Sequence, residues 1–249
     1  MSGHSKWSSI KHKKAATDAK RGQLFTKVAR ELTMAARQGG SDPEMNPSLR
    51  LAMAKARDAN MPKDNVQRAI ERATGSGDGA SLEEVTYEGY APGGTAVLVR
   101  ALTDNRNRTA ADIRQAFSRG GGNLAESGAV AWMFDLRGVI GIPVAGLDAE
   151  EVQLAAIEAG ALDTSSDDHE VEVLMEPADM ERVRAALEAA GYPVERADIA
   201  HVPKNVVALD EKAAIAALKL LERLDELDDV SRVYSNADFP DTVLQGVDL

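Results

Sequence analysis

Residues 75–81, Gly-Ser-Gly-Asp-Gly-Ala-Ser, divide the chain at a domain boundary. Three glycines and two serines in seven positions favour neither helix nor strand, so the stretch reads as a flexible linker. The hydrophobic period differs on its two sides. Upstream, Leu24, Phe25, Val28, Leu32, Ala35 and Ala36 recur at helical spacing from about Asp18 to Gln38, and Gly39-Gly40 ends the run. Asn46-Pro47 supplies an N-cap and first-turn proline for a second helix carrying Leu49, Ala52, Met53 and Ala56. Asn60-Met61-Pro62 stops that helix and opens a short third one with Val66, Ala69 and Ile70 facing inward.

Downstream the pattern becomes mixed. Glu84–Tyr90 alternates, Pro92-Gly93-Gly94 turns, and Thr95–Leu102 is almost continuously apolar, which predicts a β-hairpin. Asn107 or Thr109 can cap a following helix that runs to Ser118, and Ala129–Phe134 reads as the third strand. Val139–Val144, Ala149–Ala159, Glu170–Met175, Ala178–Ala190 and Val194–Val202 then alternate strand and helix as a βαβαβ unit. The extended Asn205–Leu209, the Ala/Leu helix Glu211–Leu224 and the strand Val230–Tyr234 have no domain of their own unless they rejoin the hairpin. The expected architecture is therefore multidomain α+β. A small helical domain over residues 1–79 precedes two α+β domains of ferredoxin-like type, with 136–203 inserted into 80–135 plus 204–249. Only 4% of the 249 residues are aromatic, so the cores must be built from Ala, Val, Leu, Ile and Met.

Charge separates the same halves. Residues 1–37 hold nine Lys and Arg against two acids, 9 − 2 = +7, while residues 80–249 hold 14 basic and 32 acidic residues, 14 − 32 = −18, within a total of −11. A basic module on an acidic body suits a polyanionic partner and points to nucleic-acid binding. The cations fall into two groups. Lys6, Lys11, Lys13 and Lys14, with Trp7 and His12 among them, form a polar arm. Lys20, Lys27, Arg30 and Arg37 fall in one sector of the first helix beside its apolar face, with Arg21 among the apolar positions. A solvated basic tail is the competing reading of the arm. The arm also has the basic, serine-containing character of a transit peptide but lacks its arginines.

Elsewhere Thr103-Asp104-Asn105-Arg106-Asn107-Arg108-Thr109 opens a helix. Arg106 and Arg108 there either hold a phosphate with the free N–H groups or pair with acids beside a capped turn. The glycines at 93–94 and 120–122 lack phosphate-loop spacing. Asp163, Asp167, Asp168 and His169 lack calcium-loop spacing and read as a solvated loop. No cysteine is present, which excludes disulfides and thiolate metal sites and suits the cytoplasm. No apolar run is long enough for a membrane span. The four histidines are scattered, and no catalytic or metal-ligating set can be nominated, so neither an enzyme nor a cofactor is expected.

Seven motifs in order carry a resemblance: Gly3-His4-Ser5-Lys6-Trp7, Lys11-His12-Lys13-Lys14, Asp18 with Lys20-Arg21-Gly22, Gly39-Gly40 with Asp42-Pro43, Asn60-Met61-Pro62-Lys63-Asp64-Asn65, Tyr87-Glu88-Gly89-Tyr90, and Thr103–Thr109. The sequence resembles the YebC/PmpR family, whose mitochondrial relatives include a translational activator of cytochrome c oxidase I. The resemblance implies three domains and a cytoplasmic DNA-binding transcriptional regulator. A ribosome-associated translation factor binding ribosomal RNA is the alternative it leaves open. An adaptor that binds a protein partner through its acidic domains is a further one. Carried over by position, the implied nucleic-acid contacts are Lys6, Trp7, Lys11, His12, Lys13, Lys14, Lys20 and Arg21, with Arg106 and Arg108 as additions. Gln23 and Ala125 depart from the family pattern, where a basic residue and a glycine are common.

Overall fold

The computed structural model describes residues 18–74, 82–167, 169–240 and 242–243. The expected arm and the 75–81 linker lie outside the described residues. The rest is an α+β protein, a small helical unit followed by two sheets with helices.

The helical unit consists of α1 (Asp18–Gly39), α2 (Pro47–Asp58) and α3 (Lys63–Thr74). Val28, Leu32, Ala35 and Ala36 of α1 pack on Leu49, Ala52 and Ala56 of α2 and on Ala69 of α3. Alanine at so many contact positions lets the helices approach closely. Asn46 joins two of them: its Oδ1 accepts from Leu49 N at 3.0 Å, while its Nδ2 donates to Ala35 O and Gly40 O, both at 2.8 Å. At the other end of α2, Asn60 adopts φ 54°. Its N–H donates to Arg57 O at 2.9 Å and that of Met61 to Ala56 O at 2.8 Å, the paired bonds of a Schellman stop. Asn60 therefore ends α2 by its left-handed backbone, and Pro62 opens α3, its carbonyl accepting from Asn65 N at 2.9 Å and Val66 N at 3.2 Å.

The first sheet has the order β3-β1-β2-β9, formed by β1 (Glu83–Ala91), β2 (Thr95–Thr103), β3 (Asn123–Leu124) and β9 (Val230–Ser235). Helices α4 (Arg106–Arg119) and α7 (Glu211–Asp225) cover one face, where Val97 and Val99 meet Ile113, Phe117, Leu220 and Leu221. Ala96 and Leu98 bury the opposite face of β2, which explains why that strand reads as a continuous apolar run.

The second sheet, order β5-β6-β4-β7, is formed by β4 (Phe134–Pro143), β5 (Asp163–Ser166), β6 (Glu170–Met175) and β7 (Arg196–Pro203). With α5 (Ala149–Glu158) and α6 (Met180–Ala189) the order is β-α-β-β-α-β, and every pairing is antiparallel. That is the ferredoxin-like arrangement. Its outer face packs on the first sheet through Val139, Ala200 and Val202 against Leu98 and Tyr234. A short parallel pair, β8 (Val207–Ala208) with β10 (Ala237–Asp238), closes the chain against α7.

Two expectations are corrected. Ala129–Phe134 is not a strand of the first sheet. It is a turn and a 3-10 helix (Ala131–Met133) leading into β4, and the third strand is Asn123–Leu124. The cause is Glu88, a buried residue on β1 whose carboxylate accepts from Gly128 N at 2.6 Å and from Val130 N and Ala131 N at 2.7 Å each. Three consecutive-region donors aimed at one carboxylate cannot also serve a ladder. In the second correction, the 163–169 stretch expected as a loop contains β5. Its Asp-Thr-Ser-Ser sequence is polar because β5 is an edge strand.

Candidate nucleic-acid interface

Helix α1 begins at Asp18, directly after the basic arm, so Lys6, Trp7, Lys11, His12, Lys13 and Lys14 lie outside the described residues and Lys20 falls in the helix's first turn. Arg21 is exposed, with its guanidinium carbon 5.6 Å from the centre of the Phe25 ring. It thus sits over the apolar face instead of disrupting it.

The next two cations of the stripe turn away from solvent. Lys27 Nζ donates to the carbonyl of Asp225 in the last turn of α7, where the helix dipole favours a cation. Arg30 Nη1 lies 2.7 Å from Asp229 Oδ1. Lys27, Arg30 and the acidic end of α7 therefore join the helical unit to the first sheet, which corrects the expectation of a stripe of free cations along α1. The sequence signal was ambiguous because an acidic body and a phosphate backbone select the same side chains.

Asp229 is also where the Arg106/Arg108 motif resolves. Asn105, and not Asn107 or Thr109, caps α4, accepting from Arg108 N at 3.1 Å. Thr109 is buried and donates its hydroxyl to Asp229 Oδ2 at 2.6 Å. Arg108 pairs with Asp229 at 2.9 Å and Asp104 at 2.7 Å. Burial pushes the Asp229 carboxyl up, but the Thr109 hydroxyl and the Arg108 and Arg30 guanidinium groups outweigh it and hold it below the usual carboxylate range. The hydrogen bonds that Arg108 donates to Asp229 and Asp104 raise its own pKa in turn. Of the two readings of the motif, acid pairing is the geometry present at Arg108. Arg106 remains mostly exposed, 3.7 Å from Glu83.

A second charged junction links all three packed units. Lys55 of α2 lies 3.1 Å from Glu31 of α1 and 3.2 Å from Asp198 of β7, and Arg232 of β9 lies 2.7 Å from Asp198. Burial pushes both carboxyls up, yet Arg232 and Lys55 hold both below their ordinary range.

Two arginines outside the expected set complete the picture. Arg68 and Arg72 on α3 face Arg37 of α1 across an open groove of about 580 Å³ floored by Phe25, Ala29, Met61 and Ala69. Their sequence signal was weak, since a basic residue every fourth position on a short polar helix is what any solvated face shows. Among the described residues no group of three metal-ligating side chains occurs, and no helix is long and apolar enough to cross a membrane. His201 packs edge-on against Tyr234, with ring centres 5.2 Å apart.

The chain is similar to known proteins over nearly all of its length. A family model described as the TACO1/YebC N-terminal domain matches residues 5–76, and one described as the TACO1/YebC second and third domain matches residues 82–237. Among similar sequences, a probable transcriptional regulatory protein from Moorella thermoacetica is 55% identical over 252 aligned positions covering 100% of both chains. Another from Dehalococcoides mccartyi (strain CBDB1) is 54% identical over 245 residues, 98% of each chain. The crystal structure of a conserved hypothetical protein from Aquifex aeolicus superposes with a TM-score of 0.85 at 46% identity, covering 93% of this chain and 96% of that one.

Proposed function

Since the chain belongs to the TACO1/YebC family, we propose that it is a nonenzymatic, cytoplasmic, DNA-binding transcriptional regulator whose basic N-terminal segment contacts phosphates. The observation that carries the reading is the inversion of charge, +7 over residues 1–37 against −18 over residues 80–249. The names of its relatives support a regulatory role. In this reading Lys6, Lys11, His12, Lys13, Lys14, Lys20 and Arg21 meet the phosphate backbone, Trp7 packs on a base or sugar, and Arg106 adds a peripheral contact. Lys27 and Arg30 act one step back, holding the helical unit on the acidic body, and Arg108 holds Asp229 in place for Arg30. Phosphate contacts of this kind supply affinity and little sequence information.

The test is a salt titration of duplex DNA binding. The logarithm of affinity falls with the logarithm of salt with a slope of roughly −0.9 per phosphate contacted. The K11A/K13A/K14A variant binds all duplex sequences about equally more weakly, with a shallower slope. A flat salt response, or a triple variant with parental affinity, refutes the assignment.

The same inversion of charge supports a second reading, in which the same segment binds ribosomal RNA. Crosslinking in cells with sequencing of bound DNA and RNA separates the two, promoters marking the first and ribosomal RNA the second. A protein partner on the acidic domains is compatible with either.

A further inference from the structure

We propose that the groove between α1 and α3 is a binding site for an unpaired stretch of nucleic acid, with phosphates on Arg37, Arg68 and Arg72 and a base against its apolar floor. This rests on the reading that the partner is a nucleic acid, and adds which form of it the folded helical unit takes.

The groove's charge is cationic and available. Among the described residues Arg37 and Arg72 are exposed and form no ion pair or side-chain hydrogen bond. Arg68 is tied only to polar neighbours of its own helix, Asn65 Oδ1 and the Asp64 carbonyl, so it too keeps an unneutralised charge. The fourth lining arginine, Arg30, is held by Asp229 at 2.7 Å, and the lining acid Asp104 is held by Arg108 at 2.7 Å. What faces the opening is therefore three positive guanidinium groups with the neighbouring carboxylate already paired.

The floor selects the form of the polyanion. Phe25, Ala29, Met61 and Ala69 line it, and an apolar, partly aromatic surface gains nothing from a duplex, whose base faces are stacked on one another. An unpaired base has a free face to place there, the arrangement by which proteins hold single strands without reading sequence. A volume of about 580 Å³ belongs to the size class of small-ligand clefts, enough for a nucleotide or two. The spacing of the cations fits a chain of phosphates: Arg68 and Arg72 are one turn apart on α3, about 6 Å along its axis, with Arg37 facing them from α1.

The walls are rigid. The single hydroxyl proton of Thr33 of α1 is shared between Ala69 O of α3 at 3.0 Å and Ala29 O at 2.9 Å, so the two helices cannot slide past each other without losing a buried contact. The site is thus formed before the ligand arrives.

The full chain is titrated by fluorescence anisotropy with a single-stranded oligonucleotide, a duplex of the same sequence and a polyglutamate peptide. For R37A/R72A, whose exposed positions leave the thermal midpoint unchanged, single-strand affinity falls about tenfold or more while duplex affinity stays within about twofold. Phe25→Leu, which keeps an apolar side chain but removes the stacking ring, lowers single-strand affinity about fivefold or more and the duplex affinity less, through Arg21 that lies over the same ring. Crosslinking of a photoreactive pyrimidine in the single strand maps to peptides containing Phe25 or Met61. Parental single-strand affinity in R37A/R72A overturns the inference, as does arginine-dependent binding of polyglutamate without binding of the single strand. A parent that binds duplex but no single strand overturns it and leaves the proposed function standing. A parent that binds neither overturns both.

Discussion

Glu88 shows how one residue can govern a long stretch of chain. Its carboxylate is buried on β1 and accepts three backbone N–H bonds from residues 128–131, so it shapes the passage from the first sheet to the second. Burial pushes this carboxyl up, but the three donors outweigh that and hold it below its ordinary value of 4.5. Because the folded value is the lower one, the unfolded chain binds more protons in the acidic window. The stabilisation is therefore complete above 4.5 and is lost as pH falls below it. Glu88→Gln keeps the shape but loses the charge and presents an amide to donors, at a cost of about 2–3 kcal/mol at neutral pH. Urea denaturation checks this at pH 7 and again near pH 3: the gap between parent and variant shrinks at the lower pH, and an equal gap at both would refute the account. Nothing in the pattern Tyr87-Glu88-Gly89-Tyr90 announced this role, because a polar residue on an alternating strand ordinarily faces solvent.

Among the elements, those whose boundaries are set by local chemistry were legible. The three described N-terminal helices, the hairpin with φ 83° and 73° at Gly93 and Gly94, and α7 all follow from capping residues, turn glycines and apolar period. Those whose boundaries are set by distant partners were not. β5 carries four polar residues and becomes a strand because β6 offers it a ladder, while 129–134 is apolar yet kept out of the first sheet by Glu88. Asn46 belongs to the legible class as a cap, but its two donated bonds to Ala35 and Gly40 bind the end of α1 to the start of α2. Asn46→Ala removes all three bonds in a buried site and costs about 2 kcal/mol. Hydrogen exchange at residues 36–40 and 47–50 accelerates in that variant. Asn46→Asp keeps the acceptor and loses the donors, so it protects 47–50 better than 36–40; identical exchange in both segments would count against the double role.

For the whole molecule, ion pairs decide how the units sit together. Glu31, Lys55, Asp198 and Arg232 come from α1, α2, β7 and β9, elements of all three packed units, and their charges alternate across the junction. Removing one member leaves its neighbours facing like charges in a partly desolvated site. A double-mutant cycle on Asp198→Ala and Arg232→Ala yields a coupling of about 1–3 kcal/mol, together with a larger radius of gyration in the single Asp198→Ala variant by solution scattering. Zero coupling with unchanged scattering would mean that the apolar layer around Leu98, Val139 and Tyr234 orients the units without the ion pairs. The same competition explains the fate of the basic helix. Lys27 and Arg30 were visible in the sequence as cations, and only the folded protein shows that Asp225 and Asp229 engage them while Arg37, Arg68 and Arg72 stay open to solvent. By itself the sequence determined the fold class, the helices and the polarity of charge, because period, caps and composition act over a few residues at a time. Which cations meet a carboxylate and which are left for a partner was decided by tertiary structure, since that depends on what lies across a gap from each one.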